Sequence, residues 1–479
     1  MAEPALSAAR AALSGAPAWL VGGAIRDRAL GRTTADLDVV VDGDPAEAAR
    51  AIARAAGRAA CFALSEEFGA WRVSARDSSW QVDVERLREG TLEADLALRD
   101  FTVNAIAEPI GGGAAIDPLG GLADLAAGRL RMTAPGAFAD DPLRVLRLAR
   151  IAVELDLEPD EQTLGSAREH VDELRRCSPE RVFAELRRIV AAEQALRGLQ
   201  LMEALSATAV VLPELDALRD VEQNRFHHAD VYGHTLEVLA RTIALTEAVA
   251  KPPPGGGEIE PAVESTVGAH RAALAALLAM PLADGMTRGE ALRWGALLHD
   301  AAKPLTRDVR PADGRVTFIG HDERGAALAR DVLERLRCSE RLRAHVAALV
   351  RHHLRLGFLV HESQPLQRRT VFGYLRACSP VEVDVTLLSV ADRLATRGDR
   401  AQESIDAHLA VARQMLPEAL RWRADGPPAP LLRGDELARE LGIATGPRVG
   451  ELLAALSEAQ FTGEVATREQ AVAHARALV

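Results

Sequence analysis

Apolar residues recur with a period of two at several places in the first 135 residues of the chain. Trp19–Val21 leads into two glycines, Asp36–Val41 alternates and then becomes wholly apolar, and Trp80–Val84 alternates throughout. A period of two is typical of half-buried β-strands. Helical patterns, such as the one over Pro45–Ala56, lie between these segments. The first part of the chain is therefore predicted to be an α/β head.

The period changes to 3.6 from Asp140 onward, which is typical of amphipathic helices. One apolar stripe consists of Leu143, Leu146, Ala149 and Val153, and helical patterns continue almost to the end. A proline- and glycine-rich segment within Lys251–Glu258 and another at Asp425–Pro430 interrupt them and indicate loops. We expect an α+β fold with four domains: a head over residues 1–135, a helical neck over 136–222, a helical domain over 223–400 and a helical tail over 401–479.

The composition excludes several classes of protein. Of the 479 residues, 48% are hydrophobic and 26% are charged, which is ordinary for a globular protein and argues against a disordered chain. The net charge of −12 excludes a uniformly basic RNA-coating protein, so any nucleic-acid surface has to be a local basic patch. The 4 cysteines form no CxxC pair, and no apolar run reaches the ~20 residues of a membrane span. We expect a cytoplasmic protein without disulfides, signal peptide or membrane association.

A glycine turn and two aspartates carry the first candidate chemistry. Gly22–Gly23 at a strand end lets the backbone bind phosphate oxygens, with Arg26 on the following turn. Asp36 and Asp38 are two residues apart in a strand, so their carboxylates point to the same side and suit Mg²⁺. Asp83 on another strand is a third candidate carboxylate. Each motif alone is more often a turn or an exposed strand edge, but their order favours nucleotidyl transfer.

The segment Asp140–Arg144 is suited to reading a nucleotide base. Asp141 before a proline is also an ordinary helix N-cap, but Asp141 and Arg144 are three residues apart and would share a helix face. A carboxylate only accepts hydrogen bonds and a guanidinium only donates them. Cytosine and adenine match this pair, whereas uracil and guanine leave two mismatches of about 1–3 kcal/mol each. The pair predicts a pocket that accepts CTP and ATP and rejects UTP and GTP.

Histidines and aspartates along the helical body carry the second candidate chemistry. The adjacent pair His299-Asp300 could hold one metal together with His234 and Asp392 from other helices. A lone buried histidine is more often a core residue, but this order resembles that of HD-domain metallophosphohydrolases. The resemblance implies bound Mg²⁺, Mn²⁺ or Ni²⁺ and phosphatase or phosphodiesterase activity on nucleotide phosphates. Further candidates for phosphate or metal contacts are His321, His352 and His353.

Several motifs of the first 220 residues occur together and in order. They are Gly-Gly-x-x-Arg-Asp at 22–27, Arg-Asp-Phe-Thr-Val-Asn-Ala at 99–105, Asp-Pro-Leu-Gly-Gly at 117–121, Asp-Asp-Pro-Leu-Arg at 140–144 and Ser-Pro-Glu-Arg at 178–181. Residues 19–220 thereby resemble the class II tRNA nucleotidyltransferase and bacterial poly(A) polymerase family. This resemblance implies a polymerase-beta-like nucleotidyltransferase head.

The resemblance also implies roles for single residues. Asp36 and Asp38 would bind the catalytic Mg²⁺ ions, with Asp83 as a helper. Ribose and phosphates would contact Arg99, Asp100, Asn104 and Arg147, and tRNA would contact Arg187 and Arg188. One departure is Asp140, where the family usually has glutamate; we expect this to affect the support of Arg144 rather than base reading.

The implied activity is the addition of C, C and A to tRNA 3′ ends from CTP and ATP, beside a metal-dependent HD phosphohydrolase activity. Two alternatives remain open from the sequence. One is an A-adding enzyme or a poly(A) polymerase of the same family, because these enzymes share the motifs. The other is a protein that acts chiefly as an HD phosphohydrolase and uses its head only to bind nucleotide or RNA.

Overall fold

The structure, a computed structural model, describes residues 3–57, 59–65, 69–222, 230–250, 260–396 and 401–479. The chain divides into two compact units, Met1–Val211 and Leu212–Val479. The predicted loop within 251–258 lies outside the described residues, and the predicted boundaries near 222 and 400 adjoin segments that are also outside them. The four predicted domains therefore stay predictions.

A six-stranded mixed sheet forms the centre of the first unit. In the order β3-β4-β5-β2-β1-β6, it consists of β1 (Ala18–Val21), β2 (Asp36–Val41), β3 (Ala60–Ser65), β4 (Ala70–Ser74), β5 (Gln81–Arg86) and β6 (Ala107–Pro109). Only β2 and β5 are parallel neighbours in this sheet, and their register places Asp38 beside Asp83. Leu37 and Val39 of β2 are buried, whereas Asp36 and Asp38 lie on the opposite, solvent-accessible face. The predicted convergence of the two aspartates on one face is confirmed.

Helices cover the sheet and continue beyond it. They are α1 (Glu3–Ala12), α2 (Gly23–Ala29), α3 (Pro45–Ala55), α4 (Leu92–Ala97), α5 (Gly121–Ala126), α6 (Ala137–Asp140), α7 (Arg144–Leu155), α8 (Glu161–Glu169), α9 (Pro179–Ala191), α10 (Ala195–Ala204) and α11 (Ala207–Val211), with 3₁₀ turns at Thr102–Asn104 and Val171–Arg176 and a small ribbon of β7 (Arg129–Leu130) and β8 (Glu158–Pro159).

Helix α3 illustrates how the head forms from its sequence. The Asp44 side chain accepts a hydrogen bond from the Ala46 N–H, and Pro45 occupies the first turn, where its missing N–H costs nothing. Ala49 and Ile52 then face inward and are fully buried in the core that the sheet shares with α1 and α3. The predicted strands at 19–21, 36–41 and 80–84 and this predicted helix are confirmed.

The second unit is helical. It contains α12 (Pro213–Asp216), α13 (Val231–Ala250), α14 (Pro261–Val267), α15 (Arg271–Leu278), α16 (Arg288–Leu298), α17 (Lys303–Thr306), α18 (His321–Arg335), α19 (Glu340–His352), α20 (Arg355–Phe358), α21 (Arg368–Cys378), α22 (Glu382–Ala395), α23 (Ala401–Asp425), α24 (Gly434–Leu441), α25 (Pro447–Thr462) and α26 (Arg468–Arg476), with 3₁₀ turns at Gly268–His270 and Leu359–His361. Two ribbons pair β9 (Pro281–Ala283) with β10 (Met286–Thr287), and β11 (Asp308–Val309) with β12 (Val316–Thr317).

Helix α16 is central to the second unit and packs on α13, α19 and α22. A capping box between Thr287 and Glu290 fixes its start. Its nine buried residues include the fully buried Trp294, and its end at Leu298 places His299-Asp300 at a buried helix C-terminus. Among the described helices, none is long and apolar enough to cross a membrane.

Candidate active site and metal centre

A cavity of about 530 Å³ opens in the first unit beside the end of β1 and the start of β2. Its lining includes Gly22, Gly23, Arg26, Asp36, Asp38, Arg99, Asp100, Asn104, Asp141, Arg144 and Arg147, together with Thr34, Arg88, Arg150 and Arg188. All the predicted nucleotide-binding residues are therefore brought to one cavity. Its walls carry seven arginines and five aspartates, a combination that suits a large anionic ligand accompanied by cations.

The turn after β1 requires a glycine. Gly22 has a φ of 73°, in the region that L-residues with a side chain rarely adopt. A Cβ at this position would lie 3.1 Å from Arg99 Nη1 and 3.7 Å from Asp38 Oδ2. The backbone approaches these charged groups so closely that a side chain at position 22 has no room. The Gly22 N–H donates to the Ile106 carbonyl oxygen, and the following amide dipoles at the start of α2 favour an anion in the cavity.

The two aspartates of β2 differ in their surroundings. Solvent reaches Asp38, but protein atoms crowd around its carboxyl, and this burial raises the pKa of Asp38 to about 6. The positive charge of Arg99 lowers this pKa, whereas the negative charges of Asp83, Glu85 and Asp36 raise it further. A group of carboxylates that repel one another in this way is stabilised by a bound dication. The oxygen donors of Asp36 and Asp38 therefore fit Mg²⁺.

Asp83 lies next to Asp38 across the parallel pair β2–β5 but has its own partner. Arg72 Nε and Nη2 each donate a hydrogen bond of 2.7 Å to the Asp83 carboxylate. Asp83 is not among the described residues that line the cavity. Its helper role stays a prediction, and in this arrangement it contributes negative charge rather than a free oxygen.

A chain of hydrogen bonds crosses the floor of the cavity. Arg26 donates to Asn104 Oδ1, Asn104 Nδ2 donates to Asp100 Oδ1 over 2.9 Å, and Arg147 Nε donates to Asp100 Oδ2 over 2.9 Å. Burial alone would raise the pKa of Asp100, but the Arg147 charge and the bonds from Asn104, Arg147 and the Phe101 N–H lower it to about 2. The charge of Asp100 in turn raises the pKa of Arg147. Asp100 thus orients cationic and amide groups at the cavity wall.

The pair predicted to read the base lies in the cavity but not on one helix. Helix α7 begins at Arg144, and Asp141 precedes it in an extended conformation. The predicted shared helix face is therefore wrong, because a turn through Pro142 separates the two residues. Asp141 Oδ2 accepts a bond of 2.7 Å from Arg181 Nη2, while Arg144 donates to the carbonyls of Leu98 and Ala137.

The two arginines predicted to contact RNA differ in where they lie relative to the cavity. Arg188 lines the cavity and donates two hydrogen bonds, 2.7 and 2.8 Å long, to the Glu154 carboxylate. Arg187 is not among the described residues that line the cavity, and its predicted RNA contact stays a prediction. Sequence reasoning missed Glu185. Its buried carboxylate accepts a hydrogen bond from Arg150 and lies 3.7 Å from Arg147. In the sequence, Glu185 looks like an ordinary charged residue on the surface of helix α9, so nothing there indicated its role.

Four residues predicted to bind the second metal come together in the second unit. His234 on α13 places Nε2 3.0 Å from Asp392 Oδ1 on α22 and 3.8 Å from Asp300 Oδ2. His299 Nε2 lies 3.1 Å from Asp300 Oδ2 and is buried without a hydrogen bond to the described residues. Burial would raise the pKa of Asp392, but the hydrogen bond and charge of His234 hold it well below its usual range.

These donors fit a divalent cation. The ligand atoms of His234, His299 and Asp300 all lie within 4.8 Å of one another, and an unbonded imidazole nitrogen in a buried position needs a partner. Lys303 was not predicted to belong to this cluster, but its Nζ lies 2.7 Å from Asp300 Oδ2. Its position three residues after Asp300 could have indicated this contact from the sequence.

Family comparisons agree with this arrangement. The chain matches the Poly A polymerase head domain over residues 18–131, the probable RNA- and SrmB-binding site of polymerase A over 156–219 and the HD domain over 268–397. It is 36% identical to the A-adding tRNA nucleotidyltransferase of Deinococcus radiodurans, covering 95% of this chain and 94% of the relative, and 33% identical to the CC-adding tRNA nucleotidyltransferase of Thermus thermophilus, covering 95% and 92%. Other relatives bear the name multifunctional CCA protein.

The fold is also found in solved structures. The Thermotoga maritima CCA-adding enzyme complexed with tRNA aligns with a TM-score of 0.60 at 19% identity, covering 99% of this chain and 94% of that one. The predicted α+β fold, with a nucleotidyltransferase head and an HD domain in a helical body, is confirmed. The chain belongs to the family of tRNA nucleotidyltransferases and poly(A) polymerases.

Proposed function

We propose that this enzyme adds C, C and A to the 3′ ends of tRNA from CTP and ATP in the cytoplasm. The observation that carries the proposal is the cavity beside β1 and β2, where the metal-suited pair Asp36 and Asp38 shares one space with Asp141 and Arg144. The residues that bind the metal and the residues that select the base have to lie within the length of one nucleotide. The cavity volume of about 530 Å³ is in the range of ligand pockets.

The chain's own residues would bind and orient the two substrates. The Gly22 N–H already donates to the Ile106 carbonyl oxygen over 2.9 Å, so the Gly23 N–H and the guanidinium of Arg26 would hold the triphosphate. Arg147, which also lines the cavity, would add a further positive charge. Asp100 and Asn104 would fix these cations and contact the ribose. A divalent ion on Asp36 and Asp38 would supply Lewis-acid assistance to the attack of the tRNA 3′-hydroxyl on the α-phosphate.

Base selection would rest on Asp141 and Arg144. Asp141 offers an acceptor for the amino group of cytosine or adenine, and Arg144 offers donors for the neighbouring ring nitrogen. Both side chains hold protein partners in the described structure, so base binding would exchange those bonds rather than fill an unsatisfied pocket. The tRNA backbone would contact the neck, including Arg187, Arg188 and the residues around them.

Transcripts of one tRNA that end before CCA, after C and after CC test this proposal. With CTP alone, the first two should gain C residues up to CC; with ATP alone, only the transcript ending in CC should gain one A. UTP and GTP should give no product. Addition of A without C would indicate an A-adding enzyme, and addition of C without A would indicate a CC-adding enzyme. Either result would contradict the proposal. Long A tails would favour poly(A) polymerase.

We infer a second activity, metal-dependent hydrolysis of phosphate esters, for the cluster formed by His234, His299, Asp300 and Asp392. The buried imidazole and carboxylate ligands of His234, His299 and Asp300 support it, with the partly exposed Asp392 beside them. Imidazole favours Mn²⁺ or Ni²⁺ over Mg²⁺. Hydrolysis of p-nitrophenyl phosphate and its bis ester with each ion tests it. His299→Gln should abolish the release of nitrophenol, and equal release by this variant would contradict the assignment.

A further inference from the structure

One row of side chains runs across the sheet from the aspartates of β2 to the edge strand. In the register, Asp38 on β2 lies beside Asp83 on β5, which is opposite Arg72 on β4. Arg72 is in turn opposite Phe62 on β3, the strand at the edge of the sheet. Residues that are paired in this way project from the same face of a sheet. Arg72 and Phe62 therefore lie on the face that carries Asp36 and Asp38.

The two halves of this face differ in what covers them. On β1 and β2, Val21 and Val40 pack against α4 in a core cluster. On β4 and β3, by contrast, 30% of the Arg72 side chain and 46% of Phe62 are exposed. An exposed ring beside a guanidinium suits single-stranded nucleic acid, because bases stack on aromatic rings and phosphates accept hydrogen bonds from arginine. The open half of the face therefore offers both kinds of contact.

Asp83 holds the guanidinium of Arg72 in place. Nε and Nη2 of Arg72 each donate a hydrogen bond of 2.7 Å to the Asp83 carboxylate, which is the bidentate arrangement that fixes a guanidinium most firmly. These hydrogen bonds raise the pKa of Arg72 against the lowering effect of burial, and the charges of Asp36 and Asp38 raise it further. The remaining N–H groups of the guanidinium are not used by Asp83. Arg72 is thus a fixed positive charge with donors left for another anion.

The in-line geometry of the proposed reaction places the attacking RNA on this side of β2. The tRNA 3′-oxygen bonds to the α-phosphorus while the bond to the leaving pyrophosphate breaks on the opposite side. The Gly23 N–H and Arg26, which would hold the triphosphate, follow β1, whereas β5, β4 and β3 lie on the other side of β2. Arg72 is also not among the described residues that line the cavity. The 3′ end of the RNA is therefore expected over β5 and β4.

The spacing of the strands matches the size of one nucleotide. Arg72 lies two strands from Asp38, roughly 9–10 Å, and Phe62 lies three strands away, roughly 14–15 Å. When the 3′-oxygen of an RNA is beside Asp38, the phosphate on the 5′ side of the same nucleotide comes within reach of the Arg72 side chain. The base of that nucleotide can then extend toward the ring of Phe62.

We propose that Arg72 and Phe62 bind the last nucleotide of the tRNA, the one whose 3′-hydroxyl attacks. Arg72 contacts the 5′ phosphate of this nucleotide, Phe62 stacks on its base, and Asp83 positions Arg72. Such a site accepts any base, because it reads a phosphate and an aromatic face. This tolerance suits an end whose identity changes with each addition. The proposal rests on the proposed function and adds a contact for the RNA substrate to it.

Binding of RNA in the absence of nucleotide tests this contact independently of catalysis. Two probes share one acceptor stem: the first ends in the unpaired nucleotides of a transcript that lacks only the final A, and the second is blunt. Full-length Arg72→Gln should bind the first probe about tenfold more weakly than wild type and the blunt probe equally well. The slope of log K against log salt for the first probe should fall by about 0.7, because one single-stranded phosphate contact is lost. Fluorescence anisotropy in Mg²⁺ buffer measures both quantities.

A double variant separates a direct contact from an indirect effect. Arg72→Gln leaves the Asp83 carboxylate without its guanidinium, and that negative charge alone could repel RNA. Arg72→Gln combined with Asp83→Asn removes both charges and should bind the first probe as weakly as Arg72→Gln. The double variant also replaces the single one if the unpaired carboxylate prevents folding. Arg86→Gln is the matched control, because Arg86 ends β5 with its side chain on the other face; it should bind both probes like wild type.

Variants of Phe62 test the stacking contact. Phe62→Leu keeps an apolar side chain without a ring and should weaken binding of the first probe about fivefold or more, whereas Phe62→Trp should not weaken it. In steady-state assays, Arg72→Gln should raise the KM for tRNA and leave the KM for CTP within about twofold of wild type.

Several results would overturn the proposal. They are wild-type binding of the first probe by the double variant, equal weakening of both probes by Arg72→Gln, equal binding by Phe62→Leu and wild type, and a raised KM for CTP in place of that for tRNA. Failure of the wild-type protein to bind either probe would instead overturn the proposed function itself, because tRNA would then not be the substrate.

Discussion

The cavity of the first unit and the histidine cluster of the second are both suited to metal ions, but they are built in opposite ways. In the cavity, Asp36 and Asp38 are reached by solvent and stand among seven arginines. In the cluster, His234, His299 and Asp300 are each at most 3% exposed. In the proposed function, the cavity leaves room for a nucleotide to complete the coordination of the ions on Asp36 and Asp38. The cluster supplies most ligands from the protein itself.

The difference follows from what each site has to hold. An open carboxylate pair binds Mg²⁺ weakly until a triphosphate adds further oxygens, so charge from arginines has to attract the nucleotide. A buried imidazole site binds its ion directly, and there the protein has to fix the ring tautomer, as the Ala296 carbonyl does for His299. In the proposed function, the first site is therefore organised around its substrate and the second around its metal.

Metal removal should separate the two sites most strongly. After brief dialysis against EDTA followed by gel filtration, nucleotide incorporation into tRNA should fall by at least about 10²-fold, because transfer depends on electrostatic support at the reacting phosphate. Restoring Mg²⁺ should restore incorporation. Elemental analysis should still find a transition metal in the protein, held by the histidines. If that metal were lost before incorporation declines, the histidine cluster would bind its ion more weakly than the cavity does, which would contradict the comparison.

Base selection is the second way to test the cavity. Asp141→Ala should lower the preference for CTP over UTP by about 10–100-fold, because the discriminating acceptor is lost. The measurement is kcat/KM for each nucleotide with a transcript that lacks CCA. Asp140→Ala is the matched control and should change the preference much less. Equal preferences in wild type and Asp141→Ala would mean that another group reads the base.

The pH dependence of stability should reveal the buried pair of Asp100 and Arg147. The pKa of Asp100 is lowered to about 2 from its ordinary value near 3.8, so its contribution is complete above pH 3.8 and disappears as the pH falls through 2. This difference corresponds to about 2 kcal/mol. Asp100→Asn should therefore lower the free energy of unfolding by about that amount at pH 7.

Urea unfolding of wild type and Asp100→Asn between pH 7 and pH 2 measures this effect. The gap between the two proteins should close toward pH 2, where the wild-type carboxylate is protonated as well. Asp42→Asn, at an exposed position after β2, is the control and should show no such gap. A gap independent of pH would contradict the assigned role of the Asp100 charge.

Removal of the Arg181 side chain should have the smallest effect. Its contact with Asp141 is partly exposed, with 54% of the Arg181 side chain accessible, and exposed ion pairs contribute less than about 1 kcal/mol. Arg181→Ala should change the KM for CTP by at most about fivefold and leave kcat unchanged. Arg176→Ala on the same surface is the control. A large fall in kcat would mean that Arg181 acts on the reacting groups.

Much of the fold and of both sites could be predicted from the sequence, because local patterns determine them. The alternation in β2 determines which face carries Asp36 and Asp38. The apolar pattern of α16 ends at Leu298 and places the neighbours His299 and Asp300 at the end of a buried helix. The motifs that identify the family lie within short segments for the same reason.

Contacts between distant segments could not be predicted in this way. The pairing of Arg72 with Asp83 depends on the register of β4 against β5. The contact of Asp141 with Arg181 depends on how the segment before α7 lies against α9. The facing nitrogens of His321 and His353 arise from the packing of α18 on α19. Sequence spacing carries no information about such distances.

The most direct test of the account asks whether the two sites work independently. Asp38→Asn and His299→Gln are compared in the same two assays, nucleotide incorporation into a tRNA transcript that lacks CCA and hydrolysis of bis-p-nitrophenyl phosphate with Mn²⁺. We predict that Asp38→Asn loses incorporation and keeps hydrolysis, while His299→Gln keeps incorporation and loses hydrolysis. Undiminished incorporation by Asp38→Asn would contradict the central claim that the carboxylates of β2 support nucleotidyl transfer.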